Sequence, residues 1–239
     1  MRNNIESPEK IPEYWVEKYK DEAVLRTHYK LINLVVQRVK LTIGSGDAAI
    51  VVDAQNDFGH PKGALYVPGA EKIIEPAFGF TLRFESANRF FTADCHPENH
   101  CSFQENGGQW PRHCVQSTWG AEFFSLFGFV SDKIVIYKGQ DKDAESYGAV
   151  HDTAGKHTQL IPRLQTKGIN RVFVYMLAFD FCVGETAEQL AEAGFETYVV
   201  VDLTKTIGLP VGGGRDTIDV MVERLQKAGV KFITSDQVF

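Results

Sequence analysis

The chain has 239 residues, of which 44% are hydrophobic and 23% are charged, a composition typical of one folded globular domain. The formal net charge of −6 argues against a nucleic-acid or anionic-membrane partner. Four cysteines without a CxxC pair indicate free thiols in a reducing compartment. Because the start MRNNIESPEKIPEYW is polar and acidic, and no apolar run is long enough to cross a bilayer, we expect a cytoplasmic protein.

Residues 12–40 form the first predicted element, a helix. Apolar residues recur there at roughly helical spacing, and Gly44, Ser45 and Gly46 follow as a break. We therefore predict an N-terminal helical extension over residues 1–46 and a single larger domain over residues 47–239. Packing against the core is the expected use of the extension.

Short apolar runs rich in β-branched residues follow, and each of them is predicted to be a strand. The runs are AAIVVDAQ, RFFTAD, KIVIYKG, RVFVYMLAF, ETYVVVDLT and KFITS. Helical patterns lie between most of them, and several of these patterns end at glycine. The alternation predicts an α/β protein with three α/β/α layers around a mostly parallel six-stranded sheet.

Chemically capable side chains lie at the ends of the predicted strands. Asp53 ends the first strand, Asp94 the second and Lys138 the third, whereas Cys182 follows the fourth and opens a helix. Since the carboxyl ends of parallel strands share one edge of the sheet, we expect these four side chains to meet there.

Cys182 is the candidate nucleophile. A helix N-terminus favours the thiolate and offers backbone N–H groups to an oxyanion. A thiolate also needs a proton acceptor and a nearby cation, which Asp53 and Lys138 could supply. A lone cysteine is more often structural, and an aspartate after a strand is often a turn cap. The nucleophile interpretation therefore depends on the three residues together.

The stretch FTADCHPENHCSF is the candidate metal site. Asp94 and His96 are two residues apart, and His113 follows in GQWPRHCVQ. One carboxylate and two imidazoles suit a single divalent ion, with zinc as the first choice and iron or manganese as alternatives. His100 and Glu105 are candidates for a fourth ligand or for partners of the ligands. A single histidine is more often a polar loop residue, so the prediction of a metal site depends on Asp94, His96 and His113 occurring together.

Five ordered motifs resemble those of nicotinamidases, also called pyrazinamidases, of the isochorismatase-like cysteine hydrolase superfamily. The motifs are VVDAQNDF, TADCHPENHCSF, WPRHCVQSTWGAEF, IYKGQDKDAESYGAVHD and LAFDFCVGETAEQLAEAGFETYVV, between residues 48 and 205. The resemblance implies hydrolysis of nicotinamide to nicotinate and ammonia through a cysteine thioester, with pyrazinamide as a further substrate. It implies a catalytic triad of Cys182, Asp53 and Lys138.

The resemblance also implies a divalent metal ion held by Asp94, His96 and His113, which would bind the pyridine nitrogen of the substrate. The oxyanion hole would consist of the N–H groups of Ala178 and Cys182, with a cis peptide bond at Ala178 or its neighbour.

Four aromatic residues are the predicted walls of the substrate pocket. Phe58 and Trp110 correspond to the ring-stacking positions of the family, and Tyr147 joins them, although all three also suit ordinary core packing. Phe179 stands where the family has a small or hydroxylated residue, so it is expected to alter the pocket. The segment GLPVGGGRDT, residues 208–217, has no counterpart in the resemblance.

The expected partner is the small-molecule substrate nicotinamide, without nucleic acid or membrane, and a homo-oligomer stays open. A metal-free isochorismatase-like or N-carbamoyl amide hydrolase is the alternative enzyme, and the set of Asp94, His96 and His113 argues against it. A non-catalytic, metal-stabilised binding protein is the alternative from another class, and the intact triad argues against that.

Overall fold

The computed structural model describes residues 29–35 and 39–239. The strands are β1 (Asp47–Val52), β2 (Arg89–Asp94), β3 (Ile134–Lys138), β4 (Arg171–Met176), β5 (Glu196–Thr204), β6 (Pro210–Gly212), β7 (Arg215–Asp216) and β8 (Lys231–Ile233). Six of them form one sheet in the order β3-β2-β1-β4-β5-β8, with every neighbouring pair parallel. The predicted six-stranded parallel sheet is confirmed.

Helices cover both faces of this sheet. The α-helices are α1 (Asn56–Gly59), α2 (Ile74–Thr81), α3 (Ser125–Gly128), α4 (Leu160–Thr166), α5 (Gly184–Glu192) and α6 (Thr217–Lys227). Short 3-10 helices span Ala70–Lys72, Ser86–Asn88, Gln104–Asn106, Trp119–Ala121 and Ser235–Gln237, and a π-helical turn spans Phe179–Val183.

The core divides into two clusters because successive side chains of a strand point to opposite faces. Ile50 and Val52 pack in one cluster with residues of α4, α5 and α6. Ala49 and Val51 pack in the other with residues of α2 and α3. β1 is buried along its whole length, as expected of a central strand covered by helices on both sides. The three predicted layers are therefore present.

The N-terminal helix ends earlier than the sequence predicts. Residues 29–32 are helical, and a turn follows at residues 33–34 instead of a helix that reaches residue 40. Leu31 is fully buried in the core beside α6, so this segment packs against the domain. The remainder of the predicted helix, residues 12–28 and 36–38, lies outside the described residues.

The glycine-rich segment forms a small antiparallel hairpin of β6 and β7. Gly212, Gly213 and Gly214 all have positive φ, a conformation that glycine adopts without a steric penalty. Within residues 29–35 and 39–239, none of the helices combines the length and apolar character that crossing a bilayer requires.

The strand order places a crevice at one edge of the sheet. The chain runs outward from β1 to β2 and β3, and then from β4 to β5 and β8 on the other side of β1. The connections after β1 and β4 therefore diverge, and ligand sites of open parallel sheets form at such switch points. Asp53 directly follows β1, and Cys182 lies in the π-helical turn after β4.

Candidate active site

The ends of four strands bring the predicted triad and Asp94 together. Asp94 and Lys138 are paired across β2 and β3, which places their side chains next to each other. One ligand atom each of Asp53, Asp94 and Cys182 lies within 4.8 Å of the others. All four side chains are buried, so their charges interact in a low-dielectric environment.

Lys138 is the hub of these contacts. Its Nζ lies 2.9 Å from Asp53 Oδ2 and 2.5 Å from Asp94 Oδ1, and donates to the Ser146 carbonyl at 3.0 Å and to Cys182 Sγ at 3.5 Å. Burial opposes its charge, but the two carboxylates outweigh this and raise the pKa of Lys138 well above its usual range. Lys138 is therefore a permanent cation beside the cysteine.

Asp53 is held in place by Thr92 of the neighbouring strand. Its φ is +48°, a left-handed conformation that aspartate tolerates better than most residues. Thr92 Oγ1 donates to Asp53 Oδ1 at 2.6 Å, whereas Asp53 Oδ2 accepts no aligned hydrogen bond from any described residue. Burial raises the pKa of Asp53, against the opposing charge of Lys138. A buried carboxylate whose Oδ2 is held only by the ion pair with Lys138 is suited to accept a proton.

The Cys182 thiol lies in a turn that opens helix α5. Phe181, just before it, has the non-helical angles φ −136° and ψ −105°. Burial raises the pKa of the Cys182 thiol well above its usual value, and Lys138 opposes this shift. Burial therefore favours the thiol, and the thiolate would form by transfer of the proton to a neighbouring base.

The backbone before Cys182 bends at a cis peptide bond between Leu177 and Ala178, as the resemblance implies. The Ala178 carbonyl accepts hydrogen bonds from the N–H groups of Phe181 and Val183, at 3.1 and 3.0 Å. The Ala178 N–H donates to no backbone carbonyl among the described residues, which leaves it free for a ligand.

The second cluster consists of Asp94, His96 and His113, whose ligand atoms lie within 4.8 Å of one another. His96 Nδ1 lies 2.8 Å from the Gly139 carbonyl, and His113 Nδ1 lies 2.7 Å from the Pro111 carbonyl. Since a carbonyl only accepts, each Nδ1 carries a proton, and Nε2 is the atom through which each neutral ring can bind a ligand. This donor set fits a divalent metal ion.

Gly139 makes the His96 contact sterically feasible. A Cβ atom at this position would lie 2.4 Å from His96 Cε1, and the residue has φ +62°. Glycine therefore permits the close approach between the backbone after Lys138 and the imidazole ring.

The electrostatics of the cluster favour a positive charge beside Asp94. Burial opposes ionisation of Asp94, but Lys138 and His96 outweigh it and hold the pKa of Asp94 well below its usual range. Burial lowers the pKa of His113 to about 4, so this ring is neutral at physiological pH. Burial also disfavours the charged form of His96, but the Asp94 carboxylate raises its pKa overall.

The two candidates for a fourth ligand have other partners. His100 Nδ1 lies 2.8 Å from Ser102 Oγ, and its Nε2 lies 3.2 Å from the Ala144 carbonyl, while the ring stacks on His96 with centroids 4.0 Å apart. Glu105 accepts from Arg112 at 3.0 Å at the surface. His100 thus packs behind His96, and Glu105 lies outside the cluster.

An apolar cavity opens directly above the cysteine. Of the predicted pocket walls, Phe58, Trp110 and Tyr147 line it, together with Cys182 and Ala178. Trp110 Nε1 donates to the Tyr147 hydroxyl at 2.8 Å, which fixes the two rings relative to each other.

The prediction for Phe179 needs correction. Phe179 is fully buried in the core cluster beside α4, α5 and α6, and its ring lies 6.3 Å from that of Phe232. Phe181 lines the cavity instead, with its ring 5.0 Å from Trp110 and 5.5 Å from Tyr147. The turn between β4 and α5 directs these two aromatic side chains to different sides.

Comparison with known proteins places this arrangement in a family. The model of the Isochorismatase domain matches residues 47–237, which is most of the chain. The chain belongs to the isochorismatase family. The membership predicted from the five motifs is thereby confirmed.

Within the isochorismatase family, the similar proteins include nicotinamidases. The nicotinamidase of Acinetobacter baylyi is 36% identical over 180 residues, which is 68% of this chain and 82% of that protein. The crystal structure of PnC1 from L. infantum in complex with nicotinate has a TM-score of 0.74 and 34% identity, covering 84% of this chain and 99% of that one. The pyrazinamidase of Pyrococcus horikoshii in complex with zinc has a TM-score of 0.68 and 36% identity, covering 79% and 99%.

Several residues of this isochorismatase-family site escape the sequence analysis. Glu145 lines the cavity, and burial raises the pKa of its carboxyl. Leu177 and Ile207 line the cavity as well, one before the cis peptide bond and the other after β5. Glu145 adjoins a charged run that suggests a solvated strand end, so the sequence does not indicate that it lines a cavity. Phe181 directly precedes Cys182, the predicted nucleophile, and that position is a usable signal.

Proposed function

We propose that this protein hydrolyses nicotinamide to nicotinate and ammonia through a thioester on Cys182. The observation that carries the proposal is that Cys182 lines an apolar cavity with aromatic walls and contacts Lys138, which is ion-paired with Asp53. Nicotinamidases that are 30–36% identical to the chain support the choice of substrate. The chain is accordingly an amidohydrolase that acts on a linear carboxamide.

The cavity suits a flat aromatic ring. Phe58, Trp110 and Phe181 would contact the two sides of the pyridine, and the carboxamide would lie toward Cys182. Asp94, His96 and His113 would hold one divalent ion, for which we propose zinc, with iron or manganese as alternatives. When bound, this ion would act as a Lewis acid toward the ring nitrogen.

In the first half of the reaction, Asp53 takes the proton from the Cys182 thiol, and Lys138 stabilises the thiolate that forms. Sγ attacks the carboxamide carbon, and the resulting oxyanion accepts hydrogen bonds from the N–H groups of Ala178 and Cys182. The protonated Asp53 then gives its proton to the departing nitrogen. The C–N bond breaks, ammonia leaves, and the nicotinoyl group stays on Sγ as a thioester.

In the second half, Asp53 is again ionised and removes a proton from water. The hydroxide oxygen attacks the thioester carbon, and the same two N–H groups hold the second oxyanion. The C–S bond breaks, and the acid leaves as nicotinate after it gives its remaining proton to solvent. The proton returns from Asp53 to the Cys182 thiolate, which restores the resting enzyme.

The anchored imidazoles of His96 and His113 support a metal-dependent enzyme over a metal-free isochorismatase-like or N-carbamoyl amide hydrolase. We further propose that pyrazinamide is a second substrate, because it carries the same carboxamide on a similar flat ring. Residues 47–239 would form the hydrolase domain and residues 1–46 an extension of it. The cellular role would be salvage of nicotinamide for NAD synthesis in the cytoplasm.

Ammonia release from nicotinamide tests this function directly. Wild-type protein and Cys182→Ala would be assayed side by side, with metal content measured in both. We expect rapid release by the wild type only, with metal in both proteins, because Cys182 is not one of the three proposed metal ligands. Release by Cys182→Ala would end the proposal. No release by metal-loaded, folded wild type would mean that the substrate is wrong.

A further inference from the structure

The side chain of Gln55 clamps the backbone of Asp94. Its Oε1 accepts from the Asp94 N–H at 2.8 Å, and its Nε2 donates to the Asp94 carbonyl at 2.8 Å and to the Ala121 carbonyl at 2.9 Å. Gln55 is fully buried, and these bonds use both of its N–H donors and its carbonyl. Gln55 therefore fixes the position of the peptide groups on both sides of the Asp94 side chain.

Asp57, two residues further on, acts in the same way on the segment with the histidines. Its Oδ2 accepts from the Cys114 N–H at 2.7 Å, and its Oδ1 accepts from the Ala64 N–H at 3.0 Å. Cys114 directly follows His113, and its carbonyl accepts from the His96 N–H at 3.0 Å. One buried carboxylate thus fixes the peptide that connects both imidazole-bearing segments.

A glycine makes room for this carboxylate. A Cβ atom at position 120 would lie 2.0 Å from Asp57 Oδ2, so only glycine allows the loop to close over Asp57. The Asp57 carboxylate has no cation within ion-pair distance among the described residues, and its contacts are backbone N–H groups. The Asp57 carboxylate therefore fixes the backbone at Cys114 and Ala64.

We propose that Gln55 and Asp57 are positioning residues that hold Asp94, His96 and His113 in register for a divalent metal ion. The inference rests on the proposed function, which assigns these three side chains as ligands. The hydrogen bonds from Nδ1 to backbone carbonyls orient the rings of His96 and His113. The position of each ring also depends on the backbone that carries it. Loss of partners that orient metal ligands typically lowers metal affinity by about 10–100-fold.

Asn56 provides a matched control between the two residues. It is also buried, and its Nδ2 donates to the Trp119 carbonyl at 2.8 Å, in the same loop that Gln55 and Asp57 contact. Its side chain makes no contact with the peptide groups of the proposed ligands. Loss of the Asn56 bond should therefore cost stability without an effect on metal binding.

The test compares Gln55→Met, Asp57→Asn and Asn56→Leu with the wild type. Each full-length protein is stripped with a chelator and titrated with Zn²⁺ in competition with a chromophoric chelator. Far-UV circular dichroism and thermal melting report folding. The visible spectrum of the Co²⁺-loaded protein reports ligand geometry. Asp57→Asn decides the matter if Gln55→Met does not fold.

We expect a Zn²⁺ affinity about 10–100-fold lower for Gln55→Met and Asp57→Asn, together with an altered Co²⁺ spectrum. Asn56→Leu should melt at a lower temperature but keep the wild-type affinity and spectrum. Wild-type affinity and spectrum in a folded Gln55→Met or Asp57→Asn would overturn the inference. So would an equal loss of affinity in Asn56→Leu.

Ammonia release by the wild type separates this inference from the proposed function. A wild type that binds Zn²⁺ but does not hydrolyse nicotinamide would refute the substrate, while the affinities of the variants would still decide the role of Gln55 and Asp57. A wild type that binds no Zn²⁺ or Co²⁺ would overturn the inference along with the metal role. An active, metal-binding wild type with unaffected variants would overturn the inference alone.

Discussion

Replacement of Thr92 by valine should shift the acidic limb of the pH profile of kcat/KM for nicotinamide hydrolysis to higher pH. Thr92 is fully buried, and its Oγ1 donates to Asp53 Oδ1 at 2.6 Å. Valine keeps the shape of the side chain and removes the donor. The Asp53 N–H keeps the Thr92 carbonyl as an acceptor at 3.2 Å, so the backbone stays paired.

The sign follows from the role of Asp53 as a base, because only the ionised carboxylate can take the thiol proton. Burial already raises the pKa of Asp53, and the Thr92 hydrogen bond opposes that shift. At 2.6 Å this is a charge-assisted bond. Such bonds contribute about 1.5–3 kcal/mol. Since one pKa unit corresponds to roughly 1.36 kcal/mol, loss of this bond should shift the acidic limb of the profile to higher pH by about 1–2 pH units.

The assay is the pH dependence of kcat/KM for ammonia release, which reports groups of the free enzyme. Thr204→Val is the matched control, since Thr204 is also fully buried but its Oγ1 donates to the Val200 carbonyl at 2.9 Å. The control should lose a similar amount of stability without a shift of the profile. A Thr92→Val profile that superimposes on the wild type, or that shifts to lower pH, would refute Asp53 as the base.

Phe181→Ala should raise KM for nicotinamide about tenfold, because aromatic contacts contribute ~0.5–1.5 kcal/mol beyond the area that they bury. Phe179→Ala should instead lower the free energy of unfolding by about 3–5 kcal/mol with little change in KM. A raised KM with unchanged stability would show that Phe179 contacts the substrate. Lys138→Met should lower the free energy of unfolding in urea by about 3–5 kcal/mol, since two buried carboxylates lose their cation. A Lys138→Met variant as stable as the wild type would contradict the compensation of the Asp53 and Asp94 charges by Lys138. Asp94→Ala should lose its metal in elemental analysis and raise KM, and an unchanged KM would exclude a metal contact to the substrate.

The sheet and the residues at its edge could be predicted because each rests on a repeated physical pattern. Buried parallel strands are continuous apolar runs, so the first polar residue after each run marks the strand end. Asp53, Asp94 and Lys138 are such residues, and the shared edge of a parallel sheet then brings them together. The positions of these side chains follow from topology, without knowledge of loop conformation.

Loop conformation accounts for what the sequence analysis missed. Phe179 and Phe181 are two residues apart, and only the backbone angles of the π-helical turn decide which of them faces the cavity. The ring of His100, one of the two candidates for a fourth ligand, stacks on that of His96, and its Nδ1 contacts Ser102 Oγ. The hairpin of β6 and β7 is too short to leave a strand pattern in the sequence.

In the proposed mechanism, Cys182 carries the nicotinoyl group during turnover. The most direct measurement mixes the wild-type protein with nicotinamide, quenches the reaction with acid, and maps acylated peptides by mass spectrometry. We predict a nicotinoyl thioester on the peptide that contains Cys182, and no such adduct in Cys182→Ser. Turnover with an adduct on Cys95, Cys101 or Cys114 in place of Cys182 would contradict it.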